Sequence, residues 1–284
     1  MKSFLSMSSD EHIQGLALGK FDGMHLAHKA LFEYLPNQSV LLCIQSQNPA
    51  LTPNKEPYSP FPIISIAFQE IMQWSGEYFM QILKEKFPLL EVLVVGYDFA
   101  FGKDRAFNAS DLAHLFDKKI IIMPEFCIHG MGVHSSLIRE FIHHGDMDNA
   151  KDMLGRYYHV QGSIITGQNL GSKALYPTIN IQTQGYVLPQ DGVYASFTEL
   201  EGELMPSVSF IGHRLSTDRH FSIETHILNK AIPQIQSIQA RIYFIHKIRD
   251  NQKFNDLALL KQQISQDIKI SQNILAQVDR AYLL

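Results

Sequence analysis

Residues 15–28 read Gly15-Leu16-Ala17-Leu18-Gly19-Lys20-Phe21-Asp22-Gly23-Met24-His25-Leu26-Ala27-His28. The first five residues are apolar or glycine with no polar alternation, which is the pattern of a strand covered on both faces. A glycine-bearing turn follows and leads into a helix. Runs of the same kind return at Val40-Leu41-Leu42-Cys43-Ile44, Val92-Leu93-Val94-Val95 and Ile120-Ile121-Ile122-Met123. Between them, Glu77 to Phe87 places Phe79, Ile82, Leu83 and Phe87 at helical spacing, a stripe that faces a core. Strands alternating with helices predict a doubly wound α/β domain built on a parallel sheet. Asn48 to Pro62, with prolines at 49, 53, 57, 60 and 62, reads as an irregular loop.

From Tyr157 onward the periodicity changes. Ile223, Thr225 and Ile227 alternate with Glu224, His226 and Leu228, and Ala240, Ile242 and Phe244 alternate with Arg241, Tyr243 and Ile245. Short strands over 160–165, 194–197, 208–211, 223–228 and 241–246, separated by glycine and polar turns, predict a small antiparallel β-barrel. The tail from Asn255 returns to helical spacing, with Leu257, Leu260, Ile264 and Ile268 on one face. Leu154-Gly155-Arg156 marks the change of pattern, so the expected domains are 1–155 and 156–284.

Of the 284 residues, 45% are hydrophobic and 18% charged, which is enough apolar material for packed cores and excludes a disordered chain. The formal net charge of −4, with no basic recognition helix, argues against nucleic acid as a partner. No apolar run approaches a membrane span, and the first residues carry no secretory pattern. Two distant cysteines fit a reducing compartment and exclude a disulfide framework. The expectation is a cytoplasmic protein that acts on small molecules; nothing in the composition sets an oligomeric state.

The chemistry concentrates in two places. Gly19 and Gly23 allow backbone to approach a ligand closely, and a helix start offers N–H groups to an anion. His25 and His28 are three apart, so one helical turn places both imidazoles on one face, where they can stabilise charge growing on phosphoryl oxygens. The same residues also suit a plain strand-to-helix turn carrying two surface histidines. In the second half, Gly162, Gly167 and Gly171 space a segment that leads to Tyr176-Pro177-Thr178-Ile179-Asn180; these glycines fit a loop over a nucleotide or simple turns. Glu224 fits either a general base or a solvent-facing carboxylate on a half-buried strand.

The decapeptide Gly19–His28 resembles the GxFDGxHxGH signature of the nucleotidyltransferase module in bifunctional bacterial FAD synthetases, the riboflavin kinase/FMN adenylyltransferases. Further segments agree in order. Gly96–Gly102 resembles the family's GxDFxFG element, Ser135–Arg139 its SSTxIR element, and Leu154-Gly155-Arg156 the LGR that closes the first module. Tyr176–Asn180 is similar to the kinase signature G(F)PTAN, Leu188–Tyr194 to LPxDGVYA, and Lys247–Phe254 to KIRDEQKF. Ala27 stands for the second glycine of HxGH, Phe210 for the asparagine of NIG, and no FxPHP element is recognisable after the second strand.

The resemblance implies a Rossmann-like nucleotidyltransferase domain followed by a β-barrel riboflavin kinase domain. It implies riboflavin and FMN as flavin substrates, ATP as co-substrate and Mg²⁺ as metal. His25 and His28 would contact ATP phosphates beside Gly19, Phe21, Asp22 and Gly23. Ser135, Ser136 and Arg139 would hold the triphosphate and the leaving pyrophosphate. Asp98 and Phe99 would line the flavin side of that module. In the barrel, Thr178 and Asn180 would carry Mg²⁺, Glu224 would be the general base, and Arg249 and Phe254 would contact flavin. Two alternatives remain at this level: a riboflavin kinase with an impaired adenylyltransferase half, and a non-catalytic flavin- or nucleotide-binding regulator.

Overall fold

The structure is a computed structural model that describes residues 2–165, 176–216, 219–229 and 239–283. The chain divides into two compact units, Met1–Ser135 and Ser136–Leu284. The first holds a parallel sheet of Lys2–Ser3 (β1), Gly15–Gly19 (β2), Ser39–Gln45 (β3), Ile63–Ala67 (β4), Val92–Gly96 (β5) and Lys119–Met123 (β8), in the order β1-β4-β3-β2-β5-β8. Two short hairpins, Ala100–Phe101 with Phe107–Asn108 (β6, β7) and Cys127–Ile128 with Met131–Gly132 (β9, β10), decorate it. Its helices are Leu26–Phe32 (α1), Phe68–Ile71 (α2), Gly76–Lys86 (α3) and Leu112–Leu115 (α4).

The unbroken apolar runs are explained by cores on both faces of this sheet. Leu16, Leu18, Val40, Leu42, Leu93 and Val95 pack with Phe79, Met80, Leu83 and Phe87 of the α3 side. Ala17, Leu41 and Val94, one residue out of phase, pack with Leu31 and Phe32 of α1. β8 departs from the expectation of a strand buried on both faces: it lies at the sheet edge, and Ile122 is 41% exposed. The chain adds strands to one side of β2 as far as β4, then returns to place β5 on its other side. That reversal puts a crevice at the carboxyl ends of β2 and β5, where open α/β sheets accept ligands.

The second unit opens with Ser136 of helix Ser135–His144 (α5), followed by Met147–Leu154 (α6). α6 stops at Gly155, whose φ of 68° is the left-handed conformation that glycine adopts without strain. The packing division therefore falls earlier than residue 155, and both helices count with the barrel. Tyr158–Ile165 (β11), Ile179–Gln182 (β12), Gly192–Leu200 (β13), Glu203–His213 (β14), Phe221–Ile227 (β15) and Gln239–Asp250 (β16) close in the order β11-β12-β15-β14-β13-β16. All of these pairings are antiparallel. Leu257–Leu275 (α7) covers the outer wall, where Val193, Ala195, Phe197, Tyr243 and Ile245 form a core with Leu275.

Inside the barrel, Ser196, Thr198, Ser207, Ser209 and Thr225 are fully buried. Their hydroxyls form a closed ring: Ser196 to Ser207 at 2.8 Å, Ser207 to Thr198 at 2.9 Å, Thr198 to Thr225 at 2.9 Å, Thr225 to Ser209 at 2.9 Å and Ser209 to Ser196 at 2.7 Å. Each hydroxyl can donate once and accept once around the ring, so all five are satisfied without water.

Candidate active sites

In the first unit, three of the four residues from Phe21 to Met24 have positive φ: Phe21 (48°), Gly23 (84°) and Met24 (44°). Such a concentration of strained backbone persists only where surrounding contacts enforce it. Asp22 supplies two of these contacts: its carboxylate accepts from the Leu51 N–H at 2.8 Å, and its carbonyl accepts from the Ser135 hydroxyl at 2.8 Å. The proline-rich loop is thereby pinned to the turn, and Leu51 and Thr52 are buried. Phe21 is buried in the α1-side core, and its ring meets His28 edge-on with 5.3 Å between centroids. A Cβ at Gly19 would sit 3.3 Å from the Phe21 ring, closer than an ordinary contact.

His25 caps α1, and its ring stacks on His28 at 3.6 Å between centroids and 18° between planes. The two imidazoles thus form one stacked pair at the carboxyl end of β2, with His25 buried and His28 half-buried. Asp98 follows β5 at the same sheet edge and is exposed, whereas Phe99 is half-buried and stacks on Phe101 at 5.5 Å. Ser136 and Arg139 lie three apart on α5, on one helical face, in the second unit. Cys43, close to the turn, donates to the Lys20 carbonyl at 3.1 Å, and burial pushes its thiol up to about 11. It is an inert core residue.

A cluster that the sequence did not signal lies near Asp98. The Tyr97 hydroxyl donates to Glu125 at 3.1 Å, and His134 Nε2 lies 3.0 Å from the same carboxylate and 3.2 Å from the tyrosine oxygen. The hydrogen bonds from His134 and Tyr97 hold the Glu125 carboxyl below its usual range. A local hairpin brings Glu125 to His134, and the sheet adds Tyr97 from the end of β5; no helical or strand spacing announces the group.

In the barrel, the ladder sets Asn180 of β12 directly opposite Glu224 of β15. Thr178 Oγ1 donates to Glu224 Oε2 at 3.4 Å, while Glu224 Oε1 accepts from Ser222 at 3.0 Å and from Arg214 Nη1 at 3.5 Å. The segment ahead of β12 is fixed twice: His226 Nδ1–H donates to the Pro177 carbonyl at 2.8 Å, and the Tyr176 hydroxyl meets Ser265 of α7 at 3.0 Å. Glu224 alternates with the inward Ile223 and Thr225, so it faces out from the barrel wall. Gly162 is required by pairing: a Cβ there would lie 2.3 Å from the Gln182 carbonyl. Gly167 and Gly171 lie outside the described residues.

Arg249 has a firm partner that the sequence did not reveal. Its Nε and Nη2 grip the buried Asp267 carboxylate of α7 at 2.8–3.0 Å, and Nη1 donates to the Asp250 carbonyl at 3.1 Å. The guanidinium also lies 5.8 Å from the Phe254 ring centre, and the Phe254 N–H donates to Ser216 at 2.8 Å. Arg249 therefore joins the last strand to the last helix, whatever else its remaining donors touch.

The sequence profile of the flavokinase family, riboflavin kinase, matches residues 154–275. A bifunctional riboflavin kinase/FMN adenylyltransferase of Mycoplasma pneumoniae is 30% identical over 277 residues, covering 93% of this chain and 98% of its own. The chain belongs to the bifunctional riboflavin kinase/FMN adenylyltransferase family. Another member of that family, from Listeria monocytogenes, is 26% identical over 294 residues and covers 93% of each chain. The solved structure of a protein described as a macrolide-efflux protein from Streptococcus pneumoniae shares the fold, with a TM-score of 0.82, 22% identity, and coverage of 96% of this chain and 98% of its own. Within the bifunctional family's two-module plan, the α/β unit and the barrel stand in the order that the signature segments imply. Among the described residues, no helix is long and apolar enough to cross a membrane.

Proposed function

We propose that this protein makes FAD in two steps: the barrel phosphorylates riboflavin with ATP to give FMN and ADP, and the α/β unit joins FMN to the AMP portion of ATP with release of pyrophosphate. The observation that carries the kinase step is the meeting of Thr178, Asn180 and Glu224 on adjacent strands. Glu224 accepts the proton of the riboflavin 5′-hydroxyl as that oxygen attacks the γ-phosphorus and ADP leaves. Thr178 and Asn180 offer neutral hard oxygens that fit Mg²⁺, which would take the remainder of its shell from phosphate and water. When bound, that ion neutralises charge on the ATP phosphates. Phe254, held beside Arg249, offers an apolar surface for the flavin ring.

In the α/β unit, the stacked His25 and His28 donate to phosphate oxygens as the FMN phosphate attacks the α-phosphorus. Ser135 serves the departing pyrophosphate, a role that the likeness of Ser135–Arg139 to the SSTxIR element extends to Ser136 and Arg139, and Asp98 serves the flavin side. Asp22 and Phe21 support this site through the turn. Both reactions draw on the ATP pool of the cytoplasm, where we place the protein.

Incubation with riboflavin, ATP and Mg²⁺, read by flavin chromatography, is expected to give FMN and then FAD. His28→Ala is expected to lower FAD formation from FMN by ~100-fold while FMN formation persists. Glu224→Gln is expected to do the reverse. A folded variant that loses both reactions overturns the two-site assignment. A narrower reading, kinase activity alone, is favoured by Ala27, by the unrecognised FxPHP element and by a profile match confined to the barrel side. FMN accumulating with no FAD would select it, and flavin bound without either product would select a regulator.

A further inference from the structure

Glu224 has two donors on one carboxylate oxygen and Thr178 on the other. Oε1 accepts from Ser222 Oγ at 3.0 Å and from Arg214 Nη1 at 3.5 Å, which leaves Oε2 on the side of Thr178. The terminal torsion of a glutamate is broad and roughly two-fold, so an unheld carboxyl turns freely about its last bond. Two donors on one oxygen fix its plane. The Arg214 and Glu224 side chains are 19% and 22% exposed, more shielded than an ordinary surface ion pair.

Arg214 is itself anchored. Its N–H donates to the His220 carbonyl at 3.0 Å, and its carbonyl accepts from the Arg219 N–H at 3.1 Å, which closes the neck of the loop after β14. Around Glu224, the ladder neighbours Asn180 and Phe210 are uncharged. On its own strand, His226 is engaged with the Pro177 carbonyl.

We propose that Arg214 and Ser222 are positioning residues of the kinase site: by holding Oε1 they present Oε2 beside Thr178, where the hydroxyl of the acceptor substrate must lie. The inference rests on the kinase reading above. Guanidinium suits the task because it stays charged and keeps a planar donor geometry, whereas the serine adds a short second restraint. The proposed role concerns the acceptor hydroxyl rather than ATP, so the loss is expected in the chemical step.

The test is a double-mutant cycle on FMN formation with the full chain. Arg214→Gln is expected to lower kcat about tenfold with KM for ATP within about twofold, and Arg214→Lys to recover part of that loss. Ser222→Ala is expected to give a smaller drop, about threefold. In a Glu224→Gln background, Arg214→Gln is expected to add nothing further, because the oxygen it positions no longer acts. An equal loss in both backgrounds, or a loss confined to KM, would make Arg214 merely structural and overturn the proposal. So would an unchanged kcat in Arg214→Gln when Glu224→Gln is impaired. Wild-type protein that forms no FMN overturns the kinase reading itself, so the two failures are distinct.

Discussion

Asp22 is a motif residue whose visible work is internal. Its carboxylate meets the amide of Leu51, a residue buried in the adjoining loop, and its carbonyl meets Ser135. Asp22→Ala leaves that amide without its acceptor, and a buried donor without a partner costs about 1–3 kcal/mol. The loss is expected in urea unfolding followed by Trp74 fluorescence, since Trp74 is the single tryptophan and lies in the same unit. Asp22→Asn, which keeps an acceptor oxygen, is expected to recover most of it; equal losses in both variants would refute the hydrogen-bond account. At this scale the sequence was legible where chemistry is local. His25 and His28 share a helical turn, and the spacing alone implied a common face. Arg214, Asp267 and the Tyr97–Glu125–His134 cluster were illegible, because each is defined by a partner that only the tertiary fold supplies.

At the scale of elements, α7 shows what apolar periodicity captures and what it misses. The helix lies where the spacing places it, but the expected stripe begins at Leu257, which is 52% exposed. Farther along, Ile268 of that stripe does pack against the outer-wall core, and the fully buried positions beside it are Asp267, Ser271 and Leu275. Both polar members have partners on the barrel wall: Asp267 receives Arg249, and the Ser271 hydroxyl donates to the Ser207 carbonyl at 3.0 Å. A pattern that counts only hydrophobic residues assigns such positions to solvent. Asp267→Ala strands the Arg249 guanidinium against the wall. Breaking a buried pair from one side typically costs about 3–5 kcal/mol. We expect a loss of about 3 kcal/mol, read as a shift in the barrel's urea midpoint, together with accelerated hydrogen exchange along α7. A shift within error of wild type would mean that the arginine finds solvent when released. Elsewhere, unbroken apolar runs correctly announced the two-faced sheet at β2, β3 and β5, and failed at β8, whose apolar residues sit at an edge.

For the whole molecule, the change of periodicity near residue 155 announced two architectures, and both are present. The packing boundary at Ser135 was hidden because α5 and α6 carry no sign of the side they join. The second unit also carries a pH dependence. His159 is buried beside Arg241 and Arg156, and burial first, then those charges, push its imidazole down to about 3. In the unfolded chain it titrates near its ordinary value, so between about 3 and 6.5 the unfolded state binds the extra proton. Stability is therefore complete above about 6.5 and falls as pH drops below it, at about 1.4 kcal/mol per pH unit. A comparison of urea midpoints at pH 7.5 and 5.5 should show this slope in wild type and a flatter one in His159→Gln; parallel slopes would count against it. The hydroxyl ring inside the barrel has a consequence for turnover. Because the lumen is filled by a closed circuit of hydrogen bonds, it offers no berth for a flavin, and Glu224 looks the other way, off the outer wall. On the proposed assignment of Glu224, substrates arrive and products depart along the outside of the cylinder, so each cycle of exchange proceeds while the staves of the barrel never part.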